Sequence, residues 1–462
     1  MDEAGFLLDL VQQESRSATV CTEPGAIALA VARARDLVGE DPLGAEVSTS
    51  PGVMKNCLAV GLPGTERRGP EVAAALGLVA ARSDRGLEAL GDLEPSQVAR
   101  AHTLLDEGKV RVRLEPLRSG VYVRARVWGP NHTAEVTVDG NHTRVTSATL
   151  DGQAVIVPGD TAGTLWRTET RHKQVKLETI RQLTFRQLLD VAVSADLAAI
   201  DYLGTGAQSA MSLAECVLRG ECPEAAPGLG QTLDRLSSQP SLQPSSQPCP
   251  RPYRDAADPF SLAARVRVLV AAAVSARMGG VVWPILTSGG SGNQGIVVGI
   301  PVLLVTKTVR ATSFMGMPGA ECRALLLAHA TNLLLKAYTG EISALCGAVS
   351  AGAGVAAAVS WLLGGNQTQI EGAVQTVLGN LWGMVCDGAK ASCALKCAAG
   401  AVEGMMAGYM APHDVFLRGS EGLLGVHLED TLHTMEGLAQ RVLAGGDLAL
   451  LQARRAELCR VS

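Results

Sequence analysis

Three runs of the sequence alternate apolar and polar residues, and they are Val110-Arg-Val-Arg-Leu114, Val121-Tyr-Val-Arg-Ala-Arg-Val127 and Ala134-Glu-Val-Thr-Val138. A period of two is the pattern of a half-buried β-strand. Turn residues separate the runs at Arg118-Ser-Gly120 and Asp139-Gly140. The runs therefore predict an antiparallel meander with one face in water, extending from Lys109 to about Val157.

The segments before and after this meander favour helices. Residues 5–38 predict two helices, the second opening at Thr22-Glu23-Pro24, where a capping residue precedes an acid and a proline. Residues 44–60 alternate more like strands, whereas 66–107 return to helical spacing. Two further helices are expected within 177–219.

The rest of the chain divides by composition. A stretch rich in Pro, Ser and Gln cannot bury a core and predicts a linker or surface insertion. The Ala-, Gly- and Leu-rich region after it is largely helical. The fold class is therefore α+β, with an antiparallel-sheet α+β domain packed beside a larger all-helical domain. The predicted boundaries are 1–40 for N-terminal helices packing on the helical domain, 41–175 for the α+β domain, 176–223 for helices, 224–254 for the linker and 255–462 for the all-helical domain.

Composition limits the function. With 47% hydrophobic residues, 18% charged residues and a net charge of -5, the chain lacks the basic excess of a nucleic-acid-binding protein. The apolar patch 6–11 is short, is interrupted by Asp9 and follows two acids, so a signal peptide is not expected. The uncharged segment 342–364 is long enough for a bilayer, but its Ala, Gly, Ser and Val favour a buried helix over a membrane span. We expect a cytoplasmic protein with neither a nucleic-acid partner nor a membrane partner.

The eleven cysteines indicate chemistry rather than a disulfide framework, because no secretory signal accompanies them. Three of them, Cys386, Cys393 and Cys397, lie within twelve residues, and Cys346 stands forty residues earlier. Such thiolates suit zinc or an iron–sulfur cluster, although the two close pairs of a zinc ribbon are missing. Spacing alone leaves a cluster, zinc and unligated core thiols open. Structural roles are expected for Cys57, Cys216, Cys222, Cys249 and Cys322, while a mobile tail could bring Cys459 to a site.

Cys21 is a further candidate, because it immediately precedes the predicted helix start. Free N–H groups and the helix dipole at such a position stabilise a thiolate. A buried cysteine beside a helix cap is the alternative. His142 follows a turn between strands and could face a cleft, or it could be an exposed turn histidine.

A glycine-rich loop within residues 275–296 carries a set of small polar side chains. Its glycines allow close backbone approach, and its donors suit a carboxylate or phosphate, although a tight interhelical turn is the alternative. The loop is also similar to the Ser-x-Gly-Asn loop of pyridoxal-phosphate lyases, but no Schiff-base lysine can be assigned among Lys55, Lys390 and Lys396. The donors in the loop are Ser288, Ser291, Asn293 and Gln294.

Six motifs occur in order over nearly the whole chain. They are Cys21-Thr-Glu-Pro24, Met54-Lys-Asn56, Gly140-x-His142-Thr143, Ser275-Ala-Arg-Met-Gly-Gly280, Ser288-Gly-Gly-Ser-Gly-Asn-Gln-Gly295 and Cys386-Asp-Gly-Ala-x-x-Ser-Cys393-Ala-x-Lys396. Together they resemble the L-cysteine desulfidase family, which is similar to the iron–sulfur L-serine dehydratases. The chain departs from the family at two places. It has Val20 where the family usually has glycine, and it carries the insertion at 224–254.

The resemblance implies an active site between the two domains. It implies a [4Fe-4S] cluster on Cys346, Cys386 and Cys393, with Cys21 as catalytic base, while Cys397 is not part of the pattern. The remaining residues expected to bind a small amino-acid substrate are Asn56, His142, Arg277, Ser288, Ser291, Asn293 and Gln294.

The expected reaction is β-elimination of L-cysteine to pyruvate, ammonia and sulfide. The alternatives are an iron–sulfur L-serine dehydratase, a pyridoxal-phosphate lyase and a non-catalytic metal-binding protein. A homodimer is one expected assembly.

Overall fold

The protein is described by a computed structural model. It covers residues 3–155, 179–238, 258–309, 317–340, 342–417, 419, 421–443 and 445–461, with side chains of the last range described as far as 453.

A six-stranded sheet forms the β part of the fold and confirms the α+β class. Its strands are β2 (Gly44–Thr49), β3 (Val110–Leu114), β4 (Tyr122–Trp128), β5 (Thr133–Asp139), β6 (Val145–Leu150) and β7 (Gln153–Ala154). The spatial order is β3-β2-β4-β5-β6-β7. The runs that form β4, β5 and β6 pair antiparallel, as predicted, with buried residues on one face of β4 and exposed arginines on the other.

The first predicted run does not join the meander directly. β2 lies between β3 and β4, and it pairs antiparallel with β4 but parallel with β3. A parallel pair needs a crossover, and the helices between β2 and β3 supply it. The sheet is therefore mixed, a topology that the alternating pattern alone does not reveal.

Four helices accompany the sheet: α2 (Thr22–Val38), α3 (Pro51–Cys57), α4 (Pro70–Val79) and α5 (Pro95–Asp106). The strand-like pattern expected over 44–60 ends at Thr49, because Ser50 caps α3 with its hydroxyl and Pro51 occupies the first helical turn. This correction places Lys55 and Asn56 on a helix.

The two N-terminal helices pack on different parts of the chain. Helix α1 (Glu3–Glu14) packs against the helical part, as expected. Helix α2 instead packs against α4 and covers β4 and β5, so the expectation for 1–40 needs correction. Its nearly continuous buried surface of small apolar residues suits a position inside the α+β core.

The larger part of the chain is helical, as predicted. Its helices are α6 (Phe185–Ser194), α7 (Leu197–Leu218), α8 (Leu229–Ser238), α9 (Pro259–Met278), α10 (Gly292–Thr308), α11 (Ala320–Thr339), α12 (Gly347–Leu362), α13 (Gln367–Leu381), α14 (Cys393–Met410), α15 (Leu428–Arg441) and α16 (Gly446–Val461). The buried helix α12 is at the centre, in contact with α10, α11, α13 and α14. In the described part of the chain, α9 alone has the length and apolarity of a membrane-spanning helix, and 67% of its apolar window is buried within the protein.

The first part of the predicted linker contains a helix. Helix α8 packs on α9, and the Glu224 carboxylate accepts hydrogen bonds from the backbone of Gly230 and Gln231 at 2.7 and 2.8 Å. These bonds satisfy amide groups at the helix start. The remainder of the predicted linker, from residue 239, lies outside the described residues.

Cys216 and Cys222, for which structural roles were expected, are joined by a disulfide.

A short two-stranded pairing links the N-terminal segment to the helical part. Strand β1 (Ser17–Ala18) pairs antiparallel with β8 (Ile285–Leu286). Because Cys21 follows β1 and the glycine-rich loop follows β8, the pairing brings these two sequence features together.

Candidate active site

Side chains from both parts of the chain line one pocket. The α+β part contributes the start of α2, the side of α3 and the turn between β5 and β6. The helical part contributes the end of α9, the loop before α10, the end of α11 and the starts of α12 and α14. Ten predicted site residues line the pocket, namely Cys21, Asn56, His142, Arg277, Ser291, Asn293, Gln294, Cys346, Cys386 and Cys393.

Backbone pairing brings two of the proposed ligand cysteines into one short ladder, at diagonal positions. The amide of Cys346 donates to the Met384 carbonyl at 2.9 Å, and the amide of Cys386 donates to the Ala344 carbonyl at 2.7 Å. These reciprocal bonds hold two segments forty residues apart as a short antiparallel ladder. Cys346 is also the N-cap residue of α12, so its position is fixed by the helix as well.

The third cysteine, Cys393, is the first residue of α14. Gly388 has a φ of +100° and turns the chain between Cys386 and this helix, a conformation that favours glycine. The Cys393 thiol donates to the Gly388 carbonyl at 3.5 Å. Cys397 lies one helical turn later, is buried and lines the same pocket, so four thiols of the helical part face this space.

The thiols of the helical part suit an iron–sulfur cluster by their chemistry. Among the described residues, no group of three or more His, Cys, Asp or Glu side chains is arranged to hold one metal ion. Soft thiolate ligands, without a carboxylate or imidazole among them, are the usual ligands of such clusters.

Burial sets the electrostatics of these thiols. Burial, reinforced by Cys386, raises the pKa of the Cys346 thiol to about 12, and burial likewise raises the pKa of Cys393. The Lys396 ammonium acts in the opposite direction on the pKa of both. Buried thiolates need a strong positive partner to form at neutral pH, and a metal supplies it.

Cys21 faces this group of thiols from the α+β part, where it is the N-cap residue of α2. Its thiol donates to Glu23 Oε2 at 3.3 Å. Burial and the Glu23 carboxylate raise the pKa of Cys21, although the Arg277 cation opposes them. Burial, the largest cause, therefore opposes the thiolate that a helix start favours, and Cys21 is a buried cysteine beside a helix start, the alternative named above.

Glu23 is itself the centre of a buried polar group. Asn56 donates to Glu23 Oε1 at 2.8 Å, and the hydroxyl of Thr22 donates to Oε2 at 3.1 Å. His142 Nε2 stands 3.8 Å from Oε1, which is too long for a hydrogen bond but close enough for electrostatic contact. Burial alone would raise the pKa of Glu23, but His142 and Asn56 hold it below its usual range. Glu23 is therefore a carboxylate at neutral pH.

The glycine-rich loop lies beside Cys21. Arg277 donates to the Asn293 side chain at 3.3 Å and to the Val20 carbonyl, so it joins the loop to the residue before Cys21. Ser288 does not line the pocket. Its buried hydroxyl accepts from Asn332 at 2.9 Å, so it supports the loop from behind.

Sequence reasoning missed Lys336, and it assigned no role to Glu23. Lys336 is buried near the end of α11, lines the pocket and donates to the Gly289 carbonyl. The available signal was a lysine four residues after Asn332 in one helix, since this spacing puts both on one face. Glu23 was visible in the Cys-Thr-Glu-Pro motif, but its partners are distant in sequence.

The lysines considered for a Schiff base are all paired. Lys55 Nζ contacts Asp447 Oδ1 at 2.7 Å, and Lys390 and Lys396 both contact the Asp387 carboxylate. Burial alone would lower the pKa of Lys55, but Cys386 and Asp447 raise it above its ordinary value. A charged, paired ammonium is a poor nucleophile, which disfavours a pyridoxal-phosphate enzyme based on these residues.

Cysteine thiols thus line a pocket between the α+β part and the helical part. The family model described as serine dehydratase alpha chain matches residues 165–447. The chain belongs to this family, whose members depend on iron–sulfur clusters.

Relatives of similar length support this assignment. A UPF0597 protein of Moorella thermoacetica is 38% identical over 440 residues, covering 95% of this chain and 94% of the relative. A UPF0597 protein of Desulfotalea psychrophila is 33% identical over 97% of this chain and 98% of its own length. A third, from Caldanaerobacter subterraneus, is 31% identical over 96% of this chain and 97% of its own length.

Proposed function

We propose that the protein is a [4Fe-4S]-dependent L-cysteine desulfidase. The observation that carries the proposal is the convergence of three thiols from the starts of two helices and one loop, opposite Cys21, in one pocket. Cys346, Cys386 and Cys393 would hold the cluster. When bound by three thiolates, a [4Fe-4S] cluster supplies an iron with an open coordination position, which acts as a Lewis acid.

The cationic side of the pocket suits the carboxylate of an amino acid. Arg277 Nε is buried and has no hydrogen-bond partner among the described residues, so it remains available as a donor. Lys336 lies on the same side, and Ser291 and Asn293 add polar groups from the glycine-rich loop. Several fixed donors would orient the α-carbon before reaction, which lowers the entropic part of the barrier.

Cys21 would remove the proton from the α-carbon. It would do so as a thiolate, after its own proton has passed to solvent, because Glu23, whose pKa is held low, is a poor proton acceptor. The Arg277 cation assists because it lowers the pKa of Cys21. As the α-proton passes to the Cys21 sulfur, its electron pair forms the Cα–Cβ double bond and the Cβ–S bond breaks, releasing sulfide. The aminoacrylate product becomes an imine and hydrolyses to pyruvate and ammonia without further help from the protein.

L-Serine is the second candidate substrate, because the matching family model is that of a serine dehydratase. The two amino acids differ by one atom, and the same proton abstraction serves both. The six motifs described above favour cysteine. A pocket built around a carboxylate and an α-proton does not by itself distinguish a thiol from a hydroxyl leaving group.

The direct test is anaerobic purification, reconstitution with iron and sulfide, and measurement of pyruvate from each amino acid and of sulfide from cysteine. We expect a broad absorbance that oxygen bleaches, and faster turnover of cysteine. Much faster turnover of serine would overturn the substrate assignment. An air-stable aldimine absorbance would instead identify a pyridoxal-phosphate enzyme, and a bound cluster without turnover would identify a metal-binding protein.

A further inference from the structure

We propose that Lys55 is a positioning residue for the ligand Cys386, and that Asp447 holds Lys55 in place. We call Lys55, Asp447 and the Cys386 carbonyl the Lys55 clasp. This inference rests on the proposed function, because it concerns how one cluster ligand is held. Lys55 takes no part in the chemistry itself.

The contacts of the Lys55 clasp join three distant segments. Lys55 Nζ donates to the Cys386 carbonyl at 3.0 Å and to Asp447 Oδ1 at 2.7 Å. The lysine lies on α3 of the α+β part, the cysteine lies between α13 and α14, and the aspartate lies at the start of α16. The Lys55 side chain is 2% exposed and that of Asp447 is 18% exposed. A lysine is rarely buried so completely unless partners fix its ammonium group.

The backbone around the Lys55 clasp is closely packed on both sides of α3. A Cβ added to Gly388 would lie 2.5 Å from the Lys55 carbonyl oxygen, and one added to Gly52 would lie 3.0 Å from Asp447 Oδ2. Helix α3 is therefore enclosed between the loop that carries Cys386 and the start of α16. Neither glycine can gain a side chain without moving these segments apart.

Cys386 needs such a tether more than the other ligands do. Cys346 is the N-cap of α12 and Cys393 is the first residue of α14, so regular helices fix both. Cys386 lies in an irregular loop, where its amide is held by the Ala344 carbonyl and its own carbonyl by Lys55. With both flanking peptide groups fixed, the side chain leaves the backbone in a defined direction, as a cluster ligand requires.

The test uses full-length protein loaded anaerobically with a cluster. Lys55→Met removes the charge and the donors at similar length. Asp447→Asn is a milder second variant, because the residue is partly exposed. Lys307→Met is the matched control, since Lys307 donates only to an exposed glutamine amide at 3.3 Å and lies far from the site in the fold. The readouts are iron and sulfide per chain and the rate at which a chelator bleaches the cluster absorbance.

We expect Lys55→Met to release the cluster about tenfold faster, the factor that corresponds to losing one hydrogen bond from a charged donor. Asp447→Asn should change the rate in the same direction, Lys55→Arg should restore much of the retention, and Lys307→Met should match the native protein. If Lys55→Met does not fold, Asp447→Asn decides. If the native protein holds a cluster and the variants release it at the same rate, the Lys55 clasp is overturned but the proposed function is not. A native protein that binds no cluster overturns the proposed function as well.

Discussion

Replacing Gly388 by alanine should disrupt the loop that carries Cys386. The residue has a φ of +100°, and the added Cβ would lie 2.5 Å from the Lys55 carbonyl oxygen. The loop cannot move away freely, because the amide of Cys386 is bound to Ala344 and its carbonyl to Lys55. Backbone strain and overpacking together should cost about 2–5 kcal/mol. At roughly 2–4 °C per kcal/mol, the melting temperature should fall by about 4–20 °C.

Gly383→Ala is the matched control, since it adds the same methyl group a few residues away. Its Cβ would meet nothing within 4 Å, and its φ is not in the left-handed region. A substitution of this kind usually changes stability by less than about 0.5 kcal/mol. Thermal melts of both variants should be recorded anaerobically, together with iron per chain. If Gly388→Ala melts and binds iron as Gly383→Ala does, the close contact between the Cys386 loop and α3 does not exist in solution.

Three further predictions concern individual side chains. Cys21→Ser should keep the cluster spectrum yet lose at least about 100-fold in pyruvate formation, the usual contribution of a general base, and a native rate would remove Cys21 from the mechanism. Glu23→Gln should shift alkylation of Cys21 to lower pH, because the negative charge that raises the pKa of this thiol is gone. Peptide mass spectrometry over a pH series measures this shift, and an unchanged profile would contradict it. Cys393→Ser should lose bound iron whereas Cys397→Ala should keep it, and the opposite pattern in iron analysis would exchange their roles.

The fold was largely predictable where one local pattern dominates. Alternation over 121–138 specified two neighbouring antiparallel strands, because each residue on such a strand alternates between core and water. The small apolar residues of 347–362 specified a buried helix for a similar reason. The parallel pairing of β2 with β3 was not predictable in this way. The residue pattern of a strand buried beneath a crossover helix does not indicate which strand it pairs with.

The residues that form the site were predictable from the sequence, whereas their protonation states were less so. The resemblance named ten residues that line one pocket, although they are spread over most of the chain. The protonation state of Cys21 was not predictable from the helix start, since it depends on burial and on a carboxylate held by Asn56 from another helix. Lys336 was missed because a single lysine in a helix has no local feature that distinguishes a pocket from the surface.

The proposed base and the proposed cluster ligands lie in different parts of the chain. The distance between them therefore depends on how those parts are joined. The base Cys21 follows the strand Ser17–Ala18, whereas all the proposed ligands lie in the helical part. The pairing of Ser17–Ala18 with Ile285–Leu286 fixes that strand to the helical part. Arg277 adds a second link two residues after that strand, through the Val20 carbonyl. Weakening these links would move the base relative to the ligands without removing any ligand. A loss of turnover with full cluster content is therefore the signature expected of damage at this junction, and it differs from the cluster loss expected at the Lys55 clasp.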